Sequence, residues 1–299
     1  MFTTNQEATE VGFASARIMA GLAYEGTAYR GFAAQNSFRT VAGDFQDAFE
    51  KITSFKPSIV CAGRTDAGVH ALGQVIHWDI PSEIVERNAH LAVRNSDKDS
   101  GTFLLLNKWF RSLNKMLAPE CTLFELDFAP PDFHARYSAI YRRYRYDINL
   151  SRYQDPRVRG ICWHMEEALD VSEMEKALET LVGEHNFAAF CRRPPGAESG
   201  LPIIRRVDSA SFAVCEVYGY NMLRLEIQAN AFCHQMIRSL VGLLAAIGLG
   251  RLRRDVLNEK ISSGDRDGMP SLAPPGGLCL TEVGYPDALG GPRSLLRMI

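Results

Sequence analysis

Hydrophobic periodicity switches between about two and about 3.6 residues in the same order twice along this chain, which restricts the fold more than any other feature. Arg17 to Tyr24, RIMAGLAY, alternates as a strand and stops at the turn signal Glu25-Gly26. Val41, Phe45, Ala48, Phe49 and Ile52 then recur at helical spacing. Short apolar strands follow over 58–61 and 74–80. A helix over 103–117 gathers Leu106, Trp109, Phe110, Leu113, Met116 and Leu117 on one side. A strand over 122–128 closes the half. The second half reads strand 141–150, helix 171–182, strands 207–217 and 222–229, helix 233–249 and strand 278–283. A short helix over 253–262 precedes that last strand, and residues 1–16 read as a loose leader.

Each half is thus β-α-β-β-α-β, the split order of ferredoxin-like folds and of RNA-recognition (RRM) modules. The expectation is an α+β protein of two such halves, 1–131 and 132–299, repeated in pattern rather than in residue identity. A chain of 299 residues, 46% apolar, has material enough for both cores.

A formal charge of −2 excludes coating nucleic acid by bulk electrostatics, so any RNA binding needs local positive charge. One stretch supplies it. Between Asp132 and Gly160, Arg136, Arg142, Arg143, Arg145, Arg152, Arg157 and Arg159 interleave with Phe133, His134, Tyr137, Tyr141, Tyr144, Tyr146 and Tyr153. Such interleaving suits a groove that neutralises phosphates and stacks bases, or else a strand edge with solvated arginines. The seven cysteines form no CxxC pair, which fits reduced thiols in a cytoplasmic protein. The histidines form no HExxH or comparable cluster, so neither a metal nor another cofactor is expected. The run Ser239 to Gly250 is too short to span a bilayer, so no membrane partner is expected either.

The most unusual segment is Cys61-Ala62-Gly63-Arg64-Thr65-Asp66-Ala67-Gly68-Val69-His70. Its glycines let the backbone bend sharply and approach a ligand, and it lacks the Lys-Ser/Thr ending of a Walker loop. Arg64 beside Asp66 favours a charged carboxylate, as a nucleophile requires; a turn in which Asp66 caps a backbone N–H is the other reading. In strand 141–150, period two places Tyr144 and Tyr146 with Ile148, opposite Arg143, Arg145 and Asp147. Arg238 opens an apolar helix and is either a surface charge or a buried cation awaiting an anion. Leu278 and Leu280 read as core.

The stretch CAGRTDAGVHALGQVIHW resembles the signature of the TruA family of tRNA pseudouridine synthases. LAYEGTAYRGFAAQ, FHARYSAIYRRYRYDI, ANAFCHQMIRSLVG and GLCLTEVGYP resemble further family segments in the family's order, from about 17 to 286. The resemblance implies a pseudouridine synthase fold, two RRM-like halves in a mainly antiparallel sheet with a central cleft. It implies isomerisation of uridine to pseudouridine in tRNA, at positions 38–40 of the anticodon stem-loop, by a homodimer without cofactor. Position by position, Asp66 matches the catalytic aspartate and Arg64 its motif neighbour. Tyr144 matches the tyrosine that stacks on the target base, and Arg238 the arginine that pairs with the aspartate. Leu278 and Leu280 fall in the last active-site motif. Arg136, Arg142, Arg143, Arg145 and His70 are expected to contact RNA. The sequence departs from the family at Gly31-Phe32-Ala33-Ala34-Gln35, at 193–204 and in the long polar segment 86–103. The alternatives are an RNA-binding protein of the same fold without activity and a carboxylate-dependent N-glycosidase.

Overall fold

The computed structural model describes residues 15–92, 98–193, 196, 201–292 and 294–298. Most of the leader, part of the 86–103 segment and part of 193–204 therefore lie outside the described residues. The first half runs β1 (Ser15–Tyr24), α1 (Val41–Thr53), β2 (Val60–Cys61), β3 (His70–Pro81), α2 (Ser82–Ala92), α3 (Lys98–Leu117) and β4 (Cys121–Phe128). The second runs β5 (Tyr141–Asn149), β6 (Trp163–His164), α4 (Val171–Leu178), β7 (Gly183–Asn186), β8 (Ile204–Val217), β9 (Tyr220–Ala229), α5 (Met236–Gly248), α6 (Val256–Ser263) and β10 (Leu278–Gly284).

One ten-stranded sheet carries both halves, in the order β4-β1-β3-β10-β5-β9-β8-β7, with β2 on β3 and β6 on β5. Counting each half's four main strands in chain order, both give 4-1-3-2, so the repeated pattern becomes a repeated topology. This is a mixed α+β, largely antiparallel architecture. The halves meet where β10 lies parallel to the start of β3, pairing Cys279 with His70 and Leu280 with Ala71. β2 also pairs with β3, at Ile76 and His77. The loop between β2 and β3 is thereby delivered to the seam.

Aromatic packing and a buried helix hold the sheet. Trp78 of β3 meets Phe45 and Phe49 of α1 edge-on at 5.2 and 5.1 Å, and Phe49 meets Trp109 of α3 at 5.4 Å. Such contacts add about 1 kcal/mol each beyond their area. In α5 every residue except Arg238 is buried, which marks that arginine as an intended exception. No helix among the described residues is long and apolar enough to cross a membrane.

Several local expectations change. Residues 86–92, read as the start of a long polar segment, belong to α2 (Ser82–Ala92), whose Ile84, Val85 and Ala89 pack on the core. Their apolar stripe is too narrow to stand out from the flanking charges. The helix expected over 171–182 ends as a 3-10 turn at Leu181, and Gly183–Asn186 then pairs with β8. The helix expected from 233 begins at Met236, because Gln235 takes a left-handed backbone, φ 66°. Cys191 and Cys233 are joined as a disulfide rather than both reduced, since the fold brings their Cα atoms to 5.6 Å across 42 residues of sequence.

Candidate active site

The β2–β3 loop is held on every side, which gives its carboxylate a defined place. The Tyr24 hydroxyl shares a 2.8 Å hydrogen bond with Thr65 Oγ1, and Gln74 Nε2 donates to Gly63 O at 2.7 Å and to Tyr24 Oη at 3.2 Å. Burial drives the Tyr24 phenol far above its ordinary pKa, so it remains a neutral hydrogen-bonding strut. From the β1–α1 segment, Phe32 N donates to Thr65 O at 3.1 Å, and Gly68 N donates to Tyr29 O at 3.3 Å. Gly31 sits at φ +97°, where a Cβ would lie 3.1 Å from Thr65 O, so the close approach requires glycine. Phe32, in the divergent 31–35 segment, is buried and keeps a ring 6.3 Å from that of Tyr24.

Asp66 emerges from this frame and reaches across the seam. Its Oδ2 accepts from Arg238 Nη1 at 3.0 Å, a contact between residues 172 apart in sequence. Arg238 is fixed in turn: its Nε donates to Ala273 O at 2.8 Å, and Ala273 N donates to Arg238 O at 3.1 Å. Only 13% of the arginine side chain and 22% of the aspartate side chain are exposed, so water screens the pair weakly. Arg238 lies in the first turn of α5, whose positive end also favours an anion. The two readings of Arg238 are thereby separated: it is a largely enclosed cation paired with an anion, not a surface charge.

Tyr144 lies on the same side of the sheet. A Cβ on Gly63 would stand 3.8 Å from its hydroxyl, and its ring meets Phe232 edge-on at 5.1 Å. Burial raises the phenol well above its usual range, with the Asp66 charge adding to the shift. Leu280 pairs with Tyr144 and Leu278 with Tyr146 in the β10–β5 register; both leucines are buried core residues. Period two along β5 thus places Tyr144 on the Asp66 side and Arg143 and Arg145 on the far side.

Other expected site residues are placed differently. Arg64 is exposed and makes no ion pair with Asp66 among the described residues, so the guanidinium that holds the carboxylate is Arg238. Arg142 shares the buried face of Tyr144, and its guanidinium is spent on backbone carbonyls. It donates to Ala62 O at 3.1 Å, Arg136 O at 2.5 Å, Ala139 O at 3.2 Å and Asn230 O at 2.8 Å. It ties the loop to the second half, with all four of its Nη–H donors spent on carbonyls. Arg143 binds Glu282 and Gln228, and Arg145 lies 3.6 Å from Asp147, which Arg224 grips at 2.6 and 2.9 Å. His70 is buried; its Nδ1 accepts from Gly26 N at 3.1 Å, so its Nε2–H donates to Gly160 O at 2.8 Å. These four are turned to structural work by their neighbours.

Free positive charge gathers instead around the rim. Arg64, Arg136, Arg192, Arg205 and Arg266 have no carboxylate at ion-pair distance among the described residues. Arg205 is pushed below the ordinary guanidinium range by burial and by Arg136, and Arg266 by burial and by Arg192. Like charges drawn together without a counter-ion mark a place for an anion. Arg192, Arg205 and Arg266 are scattered over 75 residues of sequence, so no local run signalled them. His234 went unassigned as well, although it stands four residues before Arg238; its Nε2 lies 3.3 Å from Asp66 Oδ1. No cluster of three or more His, Cys, Asp or Glu side chains that could hold a metal occurs among the described residues.

A family model described as tRNA pseudouridine synthase matches residues 177–286. A tRNA pseudouridine synthase A of Chloroflexus aurantiacus is 37% identical over 268 residues, covering 90% of this chain and 88% of that protein. One from Frankia casuarinae is 36% identical over 277 residues, covering 90% and 89%. One from Coxiella burnetii is 34% identical over 280 residues, covering 93% and 96%.

Proposed function

The chain belongs to the tRNA pseudouridine synthase A family, isomerases that turn uridine in tRNA into pseudouridine, and we propose that Asp66 is the carboxylate on which its reaction depends. The observation that carries this reading is the 3.0 Å contact of Asp66 Oδ2 with Arg238 Nη1, which joins the two halves at one partly enclosed carboxylate. In the reaction the N1–C1′ bond breaks, the uracil turns while still held, and C5 bonds to C1′. The proton leaving C5 is balanced by one gained at N1, so no oxidant, reductant or outside group is consumed. Asp66 acts at the ribose, where charge develops as the glycosidic bond breaks. Arg238 holds the carboxylate in place and aims it. Tyr144 is the platform for the uracil ring and lies close enough to the loop to meet the C5 side of the base. Leu280 and Leu278 support that ring from beneath.

The base must leave its stack to reach Asp66, at a cost of a few kcal/mol. The arginines without carboxylate partners, Arg64, Arg136, Arg192 and Arg266, offset this by binding backbone phosphates. We assign the target to uridines 38–40 of the anticodon stem-loop and the working form to a cytoplasmic homodimer of two-unit chains divided near 131. Resemblance to the family supports these finer assignments, which nucleotide-resolution mapping on tRNA and light scattering in solution test.

The deciding experiment incubates unmodified tRNA with wild type and Asp66→Asn and measures pseudouridine and free uracil. Wild type forms pseudouridine and releases no uracil, and Asp66→Asn forms none while binding tRNA normally. More than a few percent of wild-type turnover in the variant would remove Asp66 from this role.

A further inference from the structure

The two oxygens of the Asp66 carboxylate have different neighbours. Oδ2 is gripped by Arg238, which is largely enclosed; Oδ1 faces His234 Nε2 at 3.3 Å, and the His234 side chain is 51% exposed. A carboxylate held at one oxygen keeps some play about its last bond, because that torsion is broad and two-fold. A donor on the second oxygen removes the remaining freedom. We propose that His234 is a positioning residue for the isomerisation, its Nε2–H directing Asp66 Oδ1 so that, with Arg238 on Oδ2, the carboxylate plane is fixed towards the ribose. This inference rests on Asp66 being the working carboxylate.

The surrounding backbone is built to hold His234 there. Gln235, the next residue, takes φ 66°, a left-handed conformation unusual for a side chain of its kind. His234 immediately precedes that turn and faces Asp66 of the β2–β3 loop. Arg192 N donates to His234 O at 3.0 Å, Met236 N donates to Cys233 O at 3.1 Å, and Cys233 is bonded to Cys191. The histidine is therefore anchored on both sides although its ring is half exposed. Strained backbone of this kind persists where the surroundings over-determine it, and here it serves a contact with the carboxylate. Because Asp66 Oδ1 can only accept, the tautomer that serves this contact carries its proton on Nε2, and the opposite ring nitrogen, Nδ1, has no hydrogen-bond partner among the described residues.

The test compares His234→Ala, His234→Asn and His234→Gln with wild type and Asp66→Asn on unmodified tRNA. Glutamine places an amide N–H where Nε2 stood, and asparagine falls short. A loosened reacting group costs on the order of 10²-fold in rate. The Ala and Asn variants should therefore lose about 10- to 100-fold in kcat, with KM, tRNA affinity and its salt dependence unchanged. Gln should recover most of the loss, and added imidazole should partly restore Ala. The proposal is overturned if Ala and Asn keep kcat within twofold of wild type. It is equally overturned if the loss appears in KM with a flatter salt dependence, which would make His234 a phosphate contact. Gln performing no better than Asn, with melting lowered in both, would make it a structural residue. If Ala does not fold, the Gln–Asn pair decides alone. Activity surviving in Asp66→Asn would sink the parent reading, whereas a silent Asp66→Asn beside a normal His234→Ala would sink only this one.

Discussion

Arg142 and Arg143 are neighbours in sequence with opposite fates, and the pleat of a strand is the reason. Alternation puts Arg142 on the face of Tyr144 and Tyr146, where burial leaves its guanidinium only backbone carbonyls to bind. It puts Arg143 on the other face, 40% exposed beside Glu282. Removing a buried charged donor strands its acceptors, at a cost of about 3 kcal/mol or more, whereas losing an exposed ion pair costs ~0.5 kcal/mol. Arg142→Met should therefore lower the melting temperature by at least ~5 °C, and Arg143→Gln should barely shift it. The rim arginines should behave in the reverse way. Arg136→Gln with Arg205→Gln should leave melting unchanged, weaken tRNA binding and reduce the salt slope by about one counter-ion per lost contact. A salt slope identical to wild type in that double variant would mean these side chains do not meet phosphate.

At the scale of elements, two contacts join segments distant in sequence. The Cys191–Cys233 disulfide ties the turn at 188–191 to the entry of α5, leaving Cys61, Cys121, Cys162, Cys215 and Cys279 free. Thiol titration of unfolded protein isolated without reductant should count the five free cysteines, and reduction should raise the count to the full seven. Seven thiols before reduction would show the pair to be open. The second contact is His77 of β3, whose Nδ1 accepts from Ala135 N at 3.1 Å in the segment leading to β5. Burial, with Arg17 and His134 adding to it, lowers His77 from 6.5 to about 4 in the folded protein. The unfolded chain then binds the extra proton first, so this contribution is complete above about pH 6.5 and fades as pH falls towards 4. The loss is on the order of 2 kcal/mol, read as a pH-dependent urea midpoint. His77→Gln keeps an acceptor for Ala135 N and should flatten that dependence; an unchanged slope would assign it to other groups.

The whole molecule depends on one narrow seam. Asp66 comes from the first half, and Tyr144, His234 and Arg238 from the second, so the site exists only while β3 and β10 stay in register. Gly73 makes the close approach possible: a Cβ there would lie 2.4 Å from Thr281 O, a backbone atom that cannot swing aside. Ser294 reinforces the seam by donating to Thr281 O at 2.5 Å. Gly73→Ala should cost about 1–3 kcal/mol of stability. It should also lower kcat by ~10-fold or more through the Asp66–Arg238 geometry, though residue 73 touches neither side chain. A variant that melts earlier but turns over normally would show that the site tolerates movement of the halves.

Much of this was legible in local order. Two passes of β-α-β-β-α-β foretold the doubled strand order, because periodicity reports which face of an element is apolar. The glycine-flanked loop foretold where Asp66 stands, and alternation along β5 foretold the side on which Tyr144 lies. The same alternation already placed Arg142 with Tyr144, a signal that the density of arginines obscured. Periodicity does not say what a face will meet. Pairing of Asp66 with Arg238 rather than the nearby Arg64, exposure of Arg64, the nearness of Arg192 to Arg266 and of Arg136 to Arg205, and the approach of His234 to Asp66 were decided by the tertiary structure. Each depends on which charges lose water and which carbonyls need donors once distant segments pack, and burial of that kind is a property of the assembled sheet rather than of any stretch of the chain.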